Sequence, residues 1–304
     1  MGRGMLRHPR VMSELPRAFT VARARAQGTA ASALRSRAQW ARPFRGLRAA
    51  VDATWVDVTR ARVAAAGEGV FVFGPSALRL WGLDLPAPYA DDGLLHLAVP
   101  RPGRAPRGEG VVGVSVGIDP VLGTWRLGIR VTTPARTWVD LARMLSVPAL
   151  VAVADRLCLP ELDACTIREL QVALDLSPRV RGAAHLRAAW PLVVPGAESY
   201  PESQIRVSLE TAGLPRPLVN AEIRDGRDLV ARVDLLFAPW GVVVEYEGAH
   251  HADDRRQWRR DLTRIGELQR LGYIVERAHA DDLRDPARLI ARVRTHLERR
   301  GWRG

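Results

Sequence analysis

Lysine is absent from this chain of 304 residues, so all 45 of its basic side chains are arginines. No apolar run approaches the roughly 20 residues that a helix needs to cross a bilayer. The first residues are basic but have no apolar stretch behind them, so we expect no secretory signal, no membrane partner and a cytoplasmic location. Only two cysteines are present, Cys158 and Cys165, and their spacing is typical neither of a zinc knuckle nor of a redox pair.

The positive charge is concentrated near the N-terminus. Residues 1 to 50 contain eleven arginines and a single acid, Glu14, and so carry most of the formal net charge of +12. Charge that is clustered in this way indicates a nucleic-acid partner. The length of the chain and its 47% of hydrophobic residues predict two or three domains with buried cores.

The same basic stretch has the pattern of a small helical unit followed by a wing. Thr20 to Ala26 predicts a short helix, and Thr29 suits the N-cap of a second helix over Ala30 to Ala38. Trp40 to Val51 predicts a β-hairpin. In helix-turn-helix proteins the second helix lies in the major groove while neighbouring cations contact phosphates. A scaffold or protein-protein role is the alternative. The residues predicted to contact DNA are Arg35, Arg37, Arg42, Arg45 and Arg48.

The middle of the chain mixes short strands with helices and contains no nucleotide-binding loop, Ser-His-Asp pattern or repeat. Ser76 to Gly82 predicts a helix with Ser76 as N-cap, Leu94 to Val99 predicts a strand, and Thr133 to Ala142 predicts another helix. Two acids here, Asp140 and Asp155, could be catalytic, but solvated or capping roles are favoured.

The N-terminal and middle parts resemble the AbiEi-type antitoxins of bacterial type IV toxin–antitoxin systems. The stretches that carry the resemblance are the basic winged-helix pattern, SALRLWGL at 76 to 83 and RVTTPARTWVDLA at 130 to 142. The resemblance implies a winged-helix DNA-binding head. We therefore expect an α+β architecture, with the head in residues 1–70 and a mixed α/β middle domain in residues 71–192.

Three carboxylates lie on two short strands near the C-terminus, joined by Pro239-Trp240. The first strand contains Asp234, and the second contains Glu245 and Glu247. Side chains alternate between the faces of a strand, so the two glutamates share one face. A turn centred on Pro239-Trp240 sets Asp234 opposite Glu245, with Cβ atoms roughly 5 Å apart.

A bound cation would explain this grouping. Like charges that lie directly opposite each other destabilise a hairpin, and hard cations such as Mg2+ prefer carboxylate oxygens. The residues therefore predict a site for Mg2+ or Mn2+ with Asp234, Glu245 and Glu247 as ligands. A solvated strand edge is the alternative.

The last hundred residues, which follow a linker containing proline and glycine, resemble the PD-(D/E)xK nuclease superfamily and within it the Vsr-like endonuclease-related group. They share its order of helix, hairpin, helix, strand and helix. The resemblance implies an α/β restriction-endonuclease-like sandwich in residues 196–304 that hydrolyses DNA with Mg2+. The residues that carry it are Ser199, Glu202, AGLPRP at 212 to 217, Asp234, VEYEG at 244 to 248, His251, Asp261 and Arg264.

The resemblance also implies catalytic roles. Asp234 and Glu245 would hold the metal ion, and Glu202 would reach the same site from the preceding helix. His251 would act as a general base or donate a proton to the departing oxygen.

Two of these assignments have structural alternatives. Glu202 stands three residues after Ser199, which is also the spacing of a capping box. Asp261 and Arg264 are one helical turn apart, so they form either a surface ion pair or a pair in which Arg264 contacts a DNA phosphate.

One departure from the superfamily pattern bears on activity. The superfamily has a lysine two residues after the second acid, where this chain has Glu247. Either Glu247 is a further metal ligand, with His251 or an arginine in the role of the lysine, or the domain is inactive. Three function classes stay open: a DNA endonuclease, a non-catalytic antitoxin-like regulator with an inactive nuclease fold, and an RNA-directed nuclease. A homodimer is compatible with each of them.

Overall fold

The structure is a computed structural model that describes residues 15–89, 92–117, 123–247 and 255–304, without the side chains of residues 255–262. The chain divides into two units. The first comprises the chain up to Asp84 together with Asp91–Thr137, and the second comprises Leu85–Ala90 together with Trp138–Gly304. Both contain helices and strands, which confirms a mixed α/β protein. None of the described helices combines the length and the apolar character that a membrane span requires.

A small antiparallel sheet begins the first unit. Its strands are β1 (Ala18–Thr20), β2 (Trp40–Ala41) and β3 (Leu47–Ala50), in the order β1-β3-β2. Helix α1 (Val21–Ala26) begins after Thr20, whose hydroxyl accepts a hydrogen bond from the N–H of Arg23. The predicted first helix and the predicted hairpin are both confirmed.

The second predicted helix, Ala30 to Ala38, does not form. Only Ala33–Arg35 makes a short 3-10 turn, and the hydroxyl of Thr29, the predicted N-cap, is buried with no hydrogen-bond partner among the described residues. Leu34 is the one large apolar residue of this segment, and it packs against Phe19. A single anchor cannot supply the apolar stripe that holds a helix on a core, so the predicted recognition helix is wrong.

Helix α2 (Trp55–Ala66) precedes a mixed five-stranded sheet. The strands are β4 (Phe71–Val72), β5 (Leu95–Pro100), β6 (Val111–Val116), β7 (Gly123–Arg126) and β8 (Ile129–Thr132). The order of the sheet is β6-β5-β4-β8-β7, which leaves β7 at an edge. The β4–β8 and β5–β6 pairs are parallel, and the β4–β5 and β7–β8 pairs are antiparallel. Strand β5 confirms the strand predicted at 94 to 99.

Helix α3 (Gly74–Leu80) confirms the predicted helix, but the prediction of Ser76 as its N-cap is wrong. Its N-cap is Phe73, so Ser76 lies inside the helix. The hydroxyl of Ser76 donates to the carbonyl of Leu94 and accepts from the N–H of His96, at 3.2 and 3.0 Å. Ser76 therefore fixes the helix to β5 instead of beginning it.

The second unit contains a group of helices and a four-stranded sheet. Helix α4 (Pro134–Leu141) confirms the helix predicted at 133 to 142, and the boundary between the units falls within it. The helices before the sheet region are α4 (Pro134–Leu141), α5 (Val147–Leu157), α6 (Ile167–Asp175) and α7 (Ala183–Ala189). The sheet region contains α8 (Tyr200–Thr211), β9 (Leu218–Asp225), β10 (Asp228–Phe237), β11 (Val242–Tyr246), α9 (Arg255–Arg270), β12 (Ile274–Ala278), α10 (Ala280–Arg284) and α11 (Ala287–Arg299).

This sheet has the order β12-β11-β10-β9, with β11 and β12 parallel and the other pairs antiparallel. One hydrophobic cluster joins Leu235 and Val244 to residues of α8 and α11, such as Ile205 and Val293. A second cluster joins other strand residues to Leu268 of α9. Helices therefore pack against both faces of the sheet. The structure adds β9 and α10 to the predicted order of elements.

A buried ion pair joins α5 to α8. Arg206 Nη2 lies 2.9 Å from Asp155 Oδ2, and both side chains are fully buried. Asp155 also accepts hydrogen bonds from the N–H of Val194 and the hydroxyl of Ser203. The solvated or capping role favoured for Asp155 is therefore wrong. The contact also explains why α5 and α8 share one unit, whereas the predicted domains were separated at residues 192–196.

Candidate functional site

The hairpin of β10 and β11 has the register that places two acids side by side. Leu235 pairs with Val244, and the same register continued by one residue sets Asp234 opposite Glu245. The Oδ2 atom of Asp234 accepts a hydrogen bond from the N–H of Tyr246 at 2.8 Å. This bond fixes the Asp234 carboxylate against β11.

Three carboxylates from three elements act on one another at this position. The pKa of Asp234 is raised to about 6, first by burial and then by the charges of Glu202 and Glu245. The N–H of Tyr246 and the guanidinium of Arg264 lower the pKa and only partly offset this shift. A carboxyl group whose pKa is raised by burial and by neighbouring negative charges is typical of functional centres.

Arg264 of α9 binds both oxygens of Glu245. Its Nη1 donates to Oε1, and its Nη2 donates to Oε2 at 3.1 Å. Bidentate pairs of this kind are among the stronger hydrogen-bonded contacts in proteins. Arg264 therefore lies at the site as the ion-pair partner of Glu245. The alternative pair with Asp261 concerns a side chain outside the described residues.

Glu202 lies in the first turn of α8 but does not close a capping box. Ser199 Oγ accepts a hydrogen bond from the N–H of Glu202 at 3.4 Å. The Glu202 carboxylate, however, accepts from the N–H of Glu198 at 2.9 Å and from Asn220 Nδ2 at 3.2 Å. These two donors fix the carboxylate, whose charge acts on Asp234.

Asn220 is a site residue that the sequence did not reveal. It lies in β9 with a φ of 50°, and its side chain also donates to the carbonyl of Gly196 at 2.6 Å. Positive φ values are uncommon outside glycine, although asparagine tolerates them better than most residues. Strained backbone is concentrated at functional sites. No local pattern around Asn220 signals this conformation.

Glu247 contacts a different set of partners. Arg277 Nη1 donates to its two carboxylate oxygens at 3.2 and 3.3 Å, and His279 Nδ1 lies 3.6 Å from Oε2. The described geometry thus groups Asp234 and Glu245, two of the three predicted metal ligands, with Glu202. His251, the predicted general base or acid, falls outside the described residues.

The donor set at Asp234 and Glu245 fits a magnesium ion of the kind bound at phosphate-transfer sites. Mg2+ commonly takes one or two protein carboxylates and completes its octahedron with waters and substrate phosphates. A metal site that is closed by three protein ligands differs from such a magnesium site. In the part of the chain that the structure describes, no group of three His, Cys, Asp or Glu side chains is arranged to hold a metal ion.

Four of the five arginines predicted to contact DNA are exposed in the first unit, namely Arg35, Arg37, Arg42 and Arg45. Arg48 is only partly exposed. Its Nε donates to the carbonyl of Leu34 at 2.7 Å, and its Nη1 donates to the carbonyl of Leu47 at 2.8 Å. Burial and the nearby charge of Arg42 lower the pKa of Arg48. Arg48 therefore stabilises the turn against the sheet, whereas the other four present charge to solvent.

The two cysteines come together although their spacing matches no familiar pattern. Their Sγ atoms lie 4.0 Å apart, and both residues are free thiols. The hydrogen bond with Cys158 and burial raise the pKa of the Cys165 thiol. The contact forms because Cys158 caps the C-terminus of α5 and the next turn returns Cys165 to it, with the N–H of Cys165 donating to the carbonyl of Leu157.

Comparison with known sequences finds two similar proteins of Mycobacterium tuberculosis. They are Uncharacterized protein MT2308 from strain CDC 1551 / Oshkosh and Uncharacterized protein Rv2248 from strain ATCC 25618 / H37Rv. Each is 32% identical over 169 residues, which is 55% of this chain. The matched stretch spans 62% of the length of each relative.

Comparison with solved structures finds the crystal structure of the RV2827C protein from Mycobacterium tuberculosis. The similarity covers 69% of this chain and 84% of that one, with 16% sequence identity and a TM-score of 0.41. No protein-family model matches the chain.

Proposed function

We propose that this chain is a DNA-binding protein whose second unit contains a metal-dependent endonuclease site. The observation that supports the proposal is the meeting of Glu202, Asp234 and Glu245 from three elements, with the pKa of Asp234 raised to about 6. Asp234 and Glu245 would hold Mg2+ or Mn2+. When bound, the ion would polarise the scissile phosphate and lower the pKa of a water molecule.

The remaining residues of the site would bind and orient the substrate. Glu202, held by the N–H of Glu198 and by Asn220, can accept a proton or position a water molecule beside Asp234. Arg264 brings a positive charge to the site of a chain that has no lysine. Its planar guanidinium suits a phosphate oxygen as well as the Glu245 carboxylate that it now contacts.

A comparison of DNA cleavage by wild-type protein and by an Asp234→Ala variant tests the proposal directly. Wild-type protein should nick or cut duplex, mismatched, branched or single-stranded DNA when Mg2+ or Mn2+ is present. The variant should lose this activity and keep its affinity for DNA. Glu222→Ala is the matched control, because Glu222 is an exposed acid of the same sheet that pairs with Arg224. Wild-type protein that cleaves none of these substrates contradicts the endonuclease proposal.

Calorimetry tests the metal site separately from cleavage. Glu245→Ala removes one of the two proposed ligands, so Mg2+ binding should weaken strongly. Glu222→Ala should bind Mg2+ as wild type does. Identical titrations of wild type and Glu245→Ala would rule out the site.

A second candidate function is a non-catalytic, antitoxin-like regulator whose nuclease fold binds DNA or a partner. The observation that favours it is that arginines already neutralise Glu245 and Glu247, through Arg264 and Arg277. Acids that are paired in this way need no metal ion. DNA binding without cleavage, together with Mg2+ titrations that Glu245→Ala leaves unchanged, would support this function.

A further inference from the structure

A groove with a volume of about 640 Å³ lies in the first unit, between the end of α2 and the β7–β8 hairpin. Val63, Val70 and Ile129 give it an apolar lining. Its polar and aromatic lining includes the side chains of Trp125, Arg130 and Glu68. None of these residues belongs to the nuclease-like site or to the arginine cluster of the small sheet.

Trp125 is the most informative residue of the groove. It is 66% exposed on the edge strand β7, where an indole ring loses the benefit of burial. Arg130 lies directly opposite on β8, with its guanidinium carbon 5.9 Å from the ring centroid. Proteins that bind single strands combine aromatic rings, on which unpaired bases stack, with arginines that add positive charge and cation–π contacts.

The platform is held rigidly. Leu127 and Gly128 form the tight end of the hairpin with φ values of 50° and 71°. Arg60 of α2 donates to the carbonyl of Leu127 from Nε and Nη2, at 3.2 and 2.9 Å. Its Nη1 also contacts Asp57 at 3.1 Å. The hairpin that carries Trp125 is therefore fixed to α2, so little ordering is required when a ligand binds.

The charges of the groove match the parts of a nucleotide. Asp57 balances Arg60, but no carboxylate among the described residues lies within ion-pair distance of Arg130. The Arg130 guanidinium is thus placed to bind a phosphate beside the ring. Glu68, also in the lining, supplies a carboxylate that can accept hydrogen bonds from the exocyclic amino groups of adenine, cytosine or guanine.

We propose that this groove binds an unpaired nucleobase of a single-stranded nucleic acid. The base stacks on Trp125, its phosphate contacts Arg130, and its amino group donates to Glu68. This inference rests on the nucleic-acid partner of the proposed function and not on nuclease activity. The site would let the chain engage an unstacked strand as well as a duplex.

Fluorescence anisotropy with labelled oligonucleotides, measured in EDTA so that cleavage cannot contribute, tests the groove. Trp125→Ala should weaken binding of short oligodeoxyadenylate by about tenfold or more and leave duplex affinity unchanged. Trp125→Phe should restore most of the loss, because a ring is retained. Arg130→Ala should weaken binding, whereas Arg101→Ala, at an exposed arginine of the same unit outside the groove, should have little effect.

The identity of the base gives a second readout. Glu68→Gln should weaken binding of oligodeoxyadenylate and leave oligothymidylate unchanged, because thymine lacks an exocyclic amino group. A parallel series with oligoriboadenylate identifies which sugar the strand carries. Unchanged single-strand affinity in Trp125→Ala overturns the proposal, even if duplex binding persists. So does an equal loss for single strand and duplex, or displacement of the oligonucleotide by polyglutamate at equal charge.

Discussion

Burial and neighbouring negative charges determine how readily the carboxyl group of Asp234 ionises. A carboxyl group with a pKa of about 6 is largely ionised at neutral pH, but only at a cost in an electrostatically crowded site. A cation removes that cost, and so does a proton. The charge of this residue therefore changes at a higher pH than that of an exposed carboxylate, and the proposed metal ion would stabilise its ionised form.

The folding stability of an Asp234→Asn variant, measured without metal, tests the cost of ionising Asp234 in the folded protein. The folded pKa of about 6 lies above the usual value near 3.9 in unfolded chains. The proton thus favours the folded state, and this contribution is present below about pH 3.9 and is lost as the pH rises through 6. The variant should be more stable than wild type at pH 7 in urea denaturation, with a difference that shrinks towards pH 4. A difference that does not change with pH contradicts the raised pKa.

Some residues of the site could be predicted from sequence and others could not. Asp234 and Glu245 follow from strand alternation and the turn, because both are local rules. The contact of Arg264 with Glu245 depends on how a helix packs on the sheet, which no local pattern records. Asn220 could not be predicted for the same reason, since its side-chain contacts with Gly196 and Glu202 join residues that are far apart in sequence.

Among the elements, prediction succeeded where an apolar pattern repeats. The β10–β11 hairpin has the predicted pairing over its three residue pairs, where consecutive apolar residues of both strands enter the two hydrophobic clusters on alternate faces of the sheet. The helix expected over Ala30 to Ala38 failed because it has one apolar anchor, Leu34. Strand β9 was missed because only Ile223 among its eight residues is buried, so the hydrophobic alternation of a typical strand is absent.

The packing of α5 on α8 yields a stability prediction. Asp155→Ala leaves Arg206 buried without its partner and should lower the free energy of unfolding by about 3 kcal/mol or more, part of the usual loss being offset by Glu210, 2.7 Å away. Burial raises the pKa of Asp155 to about 6 despite the lowering effect of Arg206, so the cost of desolvating the carboxylate opposes the attraction within the pair.

An Asp155→Leu/Arg206→Met double variant should therefore recover much of the stability that Asp155→Ala loses. Urea unfolding measures all three proteins, with Glu222→Ala as the surface control. A double variant less stable than Asp155→Ala would mean that the ion pair contributes more than its desolvation costs.

At the scale of the whole chain, packing in the second unit crosses the segment that separates the predicted middle and C-terminal domains, because α5 and α8 belong to the same unit. The linker at 190–197 contains prolines and a glycine, yet Val194 is fixed to Asp155 and Gly196 to Asn220. Composition reveals where a chain can turn. It does not reveal whether the segments on either side share a core.

Net charge acts at the scale of the molecule and predicts how the proposed binding to duplex DNA would depend on salt. Each arginine that contacts a phosphate contributes about −0.9 to the slope of log affinity against log salt concentration. Replacing Arg35, Arg37, Arg42 and Arg45 together by alanine should weaken binding and make the slope shallower by up to about 4.

The matched control replaces four exposed arginines of the second unit: Arg168, Arg179, Arg181 and Arg187. It changes the net charge of the chain equally, so any effect of total charge alone appears in both proteins. Anisotropy titrations over a range of salt concentrations separate the two cases. Equal slopes for the two quadruple variants would mean that the chain attracts DNA only as a diffuse polycation, whereas a loss confined to the first variant assigns the phosphate contacts to the small N-terminal sheet.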